Sequence, residues 1–361
     1  MTKSAIRFPK TPPRSILLLK GHSAGIGDLL RSSAAWRALH DHFPAAQLHL
    51  WFLTRDPGAS SEQLIGRHHL LAGFRVSDKR TGAAVTWRQL FREARQVARQ
   101  TRPDLIVDFE PNGLRTSLLA RWIGFWRRAP TVGIAQAPLR GWFYNRSAPS
   151  TKGYARRRGL SVPLEYAERD FVALAALGIE RCGTAIELRE TEEGRSFRQR
   201  LSVDLAGRQL LGLNIGCGTP DALGKRPPLD LLSALVGELQ QRHKFALVLT
   251  GAAFEQDVNS QFLSRFQARG PVVDLAGRTS LLELTGVIKA CSLFVSSDSG
   301  PYHMSVALRV PTLALFKSPN PEHYHHHHWT QCLEAPSLES LPAAIEAAER
   351  LLHVSPPALP A

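Results

Sequence analysis

The sequence predicts an α/β protein made of two Rossmann-like, doubly wound parallel-sheet domains. Two observations carry this. Apolar runs of strand length alternate with amphipathic helical stretches through both halves. Each half also contains an apolar strand that runs into a glycine-rich turn and then a helix. The length of 361 residues, about twice that of an ordinary domain, agrees.

In the first half, Ser15–Lys20 is a short apolar run, followed by a Gly-rich turn and the helical stretch Asp28–His42. Gln47–Leu53 and Leu105–Phe109 read as strands. Trp87–Gln100 between them reads as a helix with Leu90, Ala94, Val97 and Ala98 on one face. Residues 136–163 break the alternation with Pro138, Gly141, Pro149, Gly153 and Pro163, and are expected to form an irregular, exposed, basic loop. Leu164–Leu177 looks helical and ends at Gly178. In the second half, strands are expected at Leu210–Ile215, Phe245–Thr250, Leu293–Ser296 and Val310–Phe316. Helices are expected at Leu229–Gln241, Leu281–Ala290 and Leu338–Leu352. The expected domains are 1–180 and 181–355, with a Pro-rich tail at 356–361. Their sheets' carboxyl ends would face each other across a cleft, where ligands of such sheets bind.

Composition narrows the function class. Hydrophobic residues make up 43% and charged residues 21%, which suits packed cores rather than disorder. No apolar run approaches the roughly 18 residues of a membrane span. The opening MTKSAIRFPKTPPR has no apolar segment of the secretory kind. The four cysteines are widely spaced with no CxxC pair, which excludes a disulfide framework or a cysteine zinc site and favours a reducing, cytoplasmic setting. Residues 1–180 hold 28 Lys and Arg against 13 Asp and Glu, whereas residues 181–361 hold 17 against 18. The whole positive excess therefore lies in the first half and calls for an anionic partner. Nucleic acid is not expected, because no helix-turn-helix, zinc-finger or RNA-binding pattern accompanies the charge.

Three turns carry the chemistry. The first is Lys20-Gly-His-Ser-Ala-Gly-Ile-Gly-Asp28, where glycines let the backbone approach a ligand. A short-chain dehydrogenase would need Tyr-x-x-x-Lys as well, and none of the five tyrosines supplies it. Asp28 either caps the helix that follows or acts on a ligand. The second turn is Asn214-Ile-Gly-Cys-Gly-Thr-Pro-Asp-Ala-Leu-Gly-Lys-Arg-Pro-Pro228. Its amides with Lys225 and Arg226 suit a diphosphate, without the spacing of a Walker A loop, or form an ordinary surface turn. The third is Val295-Ser-Ser-Asp-Ser-Gly-Pro-Tyr-His-Met304, either a phosphate and sugar-hydroxyl site or a helix cap at Asp298 or Ser299 with His303 packed in the first turn.

These turns, in this order and with the intervening Gly277–Leu284 run (Gly-Arg-Thr-Ser-Leu-Leu-Glu-Leu) and Ala307-Leu308, resemble glycosyltransferase family 9, the ADP-heptose:lipopolysaccharide heptosyltransferases. The likeness covers roughly residues 15–320 and includes Val107-Asp108 and Trp142–Arg146. The resemblance implies a GT-B fold, with acceptor bound by the first domain and nucleotide sugar by the second. It implies inverting heptose transfer from ADP-heptose to an anionic glycolipid, the lipopolysaccharide inner core, with no tightly bound cofactor or metal. Asp28 then falls on the general base and Lys225 on the lysine that meets the departing diphosphate. Gly218 and Thr219 line the phosphate turn. Asp298, Ser299 and Gly300 fall on the donor turn, and His303 starts the helix behind it. A basic first domain suits a carboxylate- and phosphate-bearing acceptor and peripheral contact with the inner membrane.

Two departures from the family pattern stand out. Phe316 is followed by Lys317 where the family has glycine. Glu322-His-Tyr-His-His-His-His-Trp329 then holds five histidines in six positions, either a transition-metal site or a polar loop. Alternatives to the heptosyltransferase reading are the same fold with another nucleotide sugar, a protein or metabolite acceptor, or a non-catalytic nucleotide-sugar-binding protein. Retention of Asp28 and Lys225 argues against the last, since binding alone needs no base.

Overall fold

In a computed structural model, residues 11–21, 25–78, 85–216 and 224–360 are described. The chain divides into two units, Met1–Ile186 and Glu187–Ala361. The first unit is built on strands β1 (Ser15–Gly21), β2 (Gln47–Thr54), β3 (Gly73–Asp78), β4 (Leu105–Asp108), β5 (Thr131–Ile134) and β6 (Arg146–Ala148). Their order is β3-β2-β1-β4-β5-β6, every neighbouring pair parallel. The helices are α1 (Ile26–Leu30), α2 (Ser33–His42), α3 (Ser60–Ile65), α4 (Val85–Thr101), α5 (Leu114–Arg127), α6 (Thr151–Arg158) and α7 (Tyr166–Leu174). Central strands β1 and β4 are buried along their length, as strands covered on both faces require, so they read as unbroken apolar runs. Leu17, Leu19, Trp51 and Ile106 pack against Leu90, Ala94 and Val97 of α4 and Leu119, Ala120 and Ile123 of α5.

The second unit repeats the plan with β7 (Leu210–Asn214), β8 (Ala246–Thr250), β9 (Val272–Asp274), β10 (Cys291–Ser296), β11 (Thr312–Phe316) and β12 (Thr330–Glu334). The parallel order is β12-β11-β10-β7-β8-β9. Counted from its own first strand, that is the topology of the first sheet. Helices α8 (Glu192–Asp204), α9 (Leu229–His243), α10 (Gln256–Arg265), α11 (Leu281–Ala290), α12 (Gly300–Ala307) and α13 (Leu341–Leu352) flank it. Leu232, Leu235 and Leu239 of α9 and Ala344, Ala347 and Leu351 of α13 share one core with β7, β8, β10 and β11. The run Gly277–Leu284 has a structural explanation. Gly277 turns the chain with φ +69°, where a Cβ would also strike Ala253. Ser280 and Glu283 then form the reciprocal capping box that starts α11, at 3.2 and 2.9 Å.

Two stretches take a form other than the one the sequence predicts, and strands β3, β5, β9 and β12 are additions to it. The stretch 28–42 is not one helix. Ser32 N–H bonds Leu29 three residues back, the hydrogen-bond ladder breaks, and the Arg31 and Ser32 side chains turn to Asp28 and Asp170. Residues 136–163 are not an irregular loop. They supply the edge strand β6, the helix α6 and a single-turn helix at Arg140–Phe143. Arg140, within this stretch, is 3% exposed and faces Asp108.

Candidate functional site

In each sheet the strand order reverses next to the first strand, between β1 and β4 and between β7 and β10. Ligands of doubly wound sheets bind beyond the carboxyl ends at such a switch point. The sequence motifs sit there. In the first unit, β1 delivers Lys20 and Gly21, and α1 carries Asp28 in its first turn. Gly25, not Asp28, occupies the cap position, and Asp28 stands in the first turn, where a negative charge also suits the positive end of the helix. The Asp28 side chain is 15% exposed and lies 3.3 Å from the Arg31 guanidinium, which fixes its direction. Arg31 in turn sits over the Tyr166 ring at 4.4 Å. Behind them, buried Lys20 holds both oxygens of Asp170 at 3.0 and 2.8 Å, and the Ser32 hydroxyl donates to the same carboxylate. Burial alone would push the Asp170 carboxyl up, but the charges of Lys20 and Arg31 outweigh it and hold it below its ordinary value.

On the other side of the switch point, β4 ends in Asp108, which is fully enclosed. It accepts from Tyr144 Oη at 2.7 Å, Arg140 at 3.2 Å and the Glu110 amide at 3.0 Å. Desolvation dominates, so the carboxyl is pushed up to about 6 despite Arg140 and Tyr144. The Val107-Asp108 and Trp142–Arg146 segments, 30-odd residues apart in sequence, are thus halves of one buried network.

In the second unit, β7 ends at Asn214 and β10 runs straight into Ser297, Asp298 and Ser299. Ser299 stands at the N-cap position of α12, but its hydroxyl does not cap. It donates to Asn214 Oδ1 at 2.9 Å, which ties the turn after β10 to the turn after β7. Asp298 is 6% exposed and carries three partners. Lys225 Nζ and Asn320 Nδ2 donate to Oδ2 at 2.9 and 3.2 Å, and His323 Nδ1 lies 2.6 Å from Oδ1. Burial pushes this carboxyl up, but hydrogen bonds and charge from His323 and Lys225 win and hold it well below the usual carboxylate range. Lys225, by contrast, is 44% exposed. His303 lies buried in the first turn of α12 with Nδ1 2.9 Å from His325 Nε2. Gly300 begins that helix. Gly218 and Thr219 lie outside the described residues.

The sequence reading missed Glu255 and Asn320 and left the roles of His323 and His325 open. Glu255 is buried against Gly216, where any Cβ would collide with its carboxylate. Asn320, His323 and His325 come from the loop after β11. The histidine run was the signal for the last two. The loop folds onto the turn after β10, while Lys317 at its start is exposed.

The first unit also presents an unusual face. Rings of Trp87, Phe91, Trp122 and Trp126 from α4 and α5 form a ladder with successive centroids 5.8, 5.5 and 6.0 Å apart. Arg95 and Arg99 each approach Trp126 at 5.9 Å, and Arg115 lies 6.0 Å from Trp87. Phe91 and Trp122 are rooted on the core, while Phe125 is 72% exposed. Along α4 and α5 together, Glu93 is the sole acid among seven arginines.

Comparison with known proteins agrees with this layout. Residues 135–344 match the model of glycosyltransferase family 9 (heptosyltransferase), more than half of the chain. Lipooligosaccharide heptosyltransferase 2 of Campylobacter jejuni is 28% identical over 110 residues, 30% of this chain and 34% of that protein. That alignment therefore spans about a third of the relative's length. The glycosyl transferase family 9 structure from Veillonella parvula superposes with a TM-score of 0.68 at 19% identity, covering 93% of this chain and 97% of that one. The E. coli ADP-heptose LPS heptosyltransferase II structure gives 0.66 at 20% identity, covering 93% and 98%. At these identities the superpositions speak for the fold, which is GT-B. With the family match, the two repeated sheets and the motifs at both switch points in place, the chain belongs to glycosyltransferase family 9, the heptosyltransferase family.

Proposed function

We propose that this chain transfers a heptose from ADP-heptose, with inversion, to a hydroxyl of an anionic glycolipid of the lipopolysaccharide inner core, at the cytoplasmic face of the inner membrane. The observation that carries the reading is the Asp298 cluster at the second switch point. There a half-exposed Lys225 is paired with a buried carboxylate, which supports a role for it at a diphosphate. In the step proposed, the acceptor hydroxyl oxygen attacks the anomeric carbon while Asp28 takes its proton. The bond from that carbon to the diphosphate oxygen breaks on the opposite face, and Lys225 meets the charge left on the departing nucleotide. The Arg31 contact fixes the Asp28 carboxylate for that proton. Ser299, Gly300 and the His303 turn, with Gly218 and Thr219, are assigned to the donor.

The aromatic and arginine face of α4 and α5 is assigned to the membrane. Arginines attract anionic headgroups, and exposed Phe125 with Trp126 suits the boundary between headgroup and acyl chain. None of the described helices is long and apolar enough to span.

The test is calorimetric binding of a nucleotide and nucleotide-sugar panel in EDTA, followed by transfer assays on truncated lipopolysaccharide. Selective ADP and ADP-heptose binding is expected. Preference for UDP or GDP would keep the transfer chemistry and discard the donor, and binding of none would leave a non-catalytic protein. Asp28→Asn is expected to abolish transfer with donor affinity nearly unchanged; normal transfer by this variant removes Asp28 from the mechanism.

A further inference from the structure

The histidine-rich segment after β11 is given no role of its own in the proposed transfer step, yet it is built into the fold rather than left as a loose polar loop. Tyr324 and His325 are buried. The His325 amide donates to Tyr302 Oη at 3.1 Å, the Asn320 amide to Tyr324 Oη at 3.0 Å, and His327 stacks on Trp329 at 4.4 Å. The segment therefore brings chosen histidines to a fixed place. One ring nitrogen each from His303 and His323 and one oxygen of Asp298 lie within 4.8 Å of one another. Around a first-row ion with bonds of about 2.0–2.1 Å, tetrahedral donors stand roughly 3.4 Å apart. Small side-chain rotations therefore close the set.

The surroundings are those of a metal site. Asn320 and Lys225 occupy Asp298 Oδ2 and leave Oδ1 on the side of His323, so the carboxylate is oriented from behind. His325 Nε2 lies 2.9 Å from His303 Nδ1, so with Nε2 of His303 as the ligating nitrogen its Nδ1 proton has an acceptor, the service that outer partners perform for ligating histidines. Two imidazoles and one carboxylate select a borderline ion such as Zn2+, Co2+ or Ni2+ over Mg2+ or Ca2+, which take oxygen.

We infer that Asp298, His303 and His323 bind one divalent first-row transition-metal ion, with His325 as the positioning residue for His303. The ion replaces the His323–Asp298 hydrogen bond and pins the loop after β11 to the turn after β10. It is a clamp on the donor turn rather than a participant in transfer. Lys225 on the same carboxylate weakens the site by repulsion, so metal and anion binding are linked: an anion that neutralises Lys225 tightens the metal.

The test uses the full chain, stripped with chelator and titrated with Co2+, whose visible absorption reports nitrogen and oxygen ligation. Metal analysis gives the stoichiometry. Expected is one Co2+ per chain, displaced by Zn2+, with affinity falling at least about tenfold in His323→Ala, a half-buried loop position, and in His303→Ala. His326→Ala/His328→Ala, which removes two exposed histidines, keeps the signal. Melting temperatures of the metal-free variants separate misfolding from ligand loss. Absence of Co2+ absorption overturns the assignment. So does a signal that survives in His323→Ala but vanishes in His326→Ala/His328→Ala, which would place the metal on the exposed end of the tract. Neither result depends on which nucleotide sugar the chain uses.

Discussion

Lys225 and Asp298 form an ion pair in which one partner is buried and the other half-exposed. A charge-assisted contact to a diphosphate contributes about 1.5–3 kcal/mol. Lys225→Ala is accordingly expected to weaken ADP roughly tenfold or more and to lower turnover with it. Unchanged values for both in calorimetry and steady-state assays would remove the diphosphate role. Asp108 makes a prediction of a different kind. Its carboxyl ionises at 3.8 in an unfolded chain and near 6 in the fold. Between those values the folded form holds the proton more tightly. Asp108 therefore adds stability below pH 4 and loses it as the pH rises through 6, a change of about 3 kcal/mol at one pKa unit per 1.4 kcal/mol. Asp108→Asn is expected to lower stability overall, since Arg140 stays buried, and to flatten this slope in melting curves from pH 4 to 7. A parallel slope in the variant assigns the dependence to another group. At this scale the sequence displayed the residues that lie within one turn, such as Asp298 and Ser299. It hid Glu255, Asn320 and Arg140, which reach the sites from other loops and leave no spacing to read.

The helices α8 and α11 pack backbone to backbone. A Cβ on Gly286 would lie 1.8 Å from the Gly194 carbonyl oxygen, and one on Gly194 would lie 2.2 Å from the Thr285 hydroxyl. Gly286→Ala should force the pair apart and cost about 2–3 kcal/mol, lowering the melting temperature by roughly 5–10 °C. An unchanged melting temperature would mean that the contact yields without cost. The buried strands β1, β4, β7, β8, β10 and β11 were legible because a strand covered on both faces is apolar throughout. Edge strands β3, β6, β9 and β12 are short or half-exposed, carry charged and polar residues, and blend with the loops around them. The break between α1 and α2 was hidden as well, since Arg31 and Ser32 keep helical backbone angles and only their hydrogen bonds and side chains depart.

Across the molecule, the charge asymmetry noted in the sequence has a definite address on α4 and α5, although some of the first-half arginines are spent inside, as Arg140 shows. Arg92→Gln, Arg95→Gln and Arg99→Gln together are expected to reduce binding to vesicles rich in anionic phospholipid by roughly fivefold per arginine, at about 1 kcal/mol each. Binding should fall with added salt, and neutral vesicles should show no difference. Equal binding by the triple variant would move the membrane contact elsewhere. The pairing of two similar sheets was the most legible feature of all, because the strand–glycine turn–helix pattern recurs at the head of each. The Lys20–Asp170 bridge has a consequence for how the first unit comes into being. Its partners are 150 residues apart, and Ser32 and Arg31 lean on the same carboxylate. As the chain leaves the ribosome, β1 and β2 emerge early, but the carboxylate shared by Lys20, Ser32 and Arg31 arrives only with α7. A chain halted before residue 170 lacks the carboxylate that Lys20, Ser32 and Arg31 all reach, so the end of the central strand cannot be closed until nearly the whole first unit has been made.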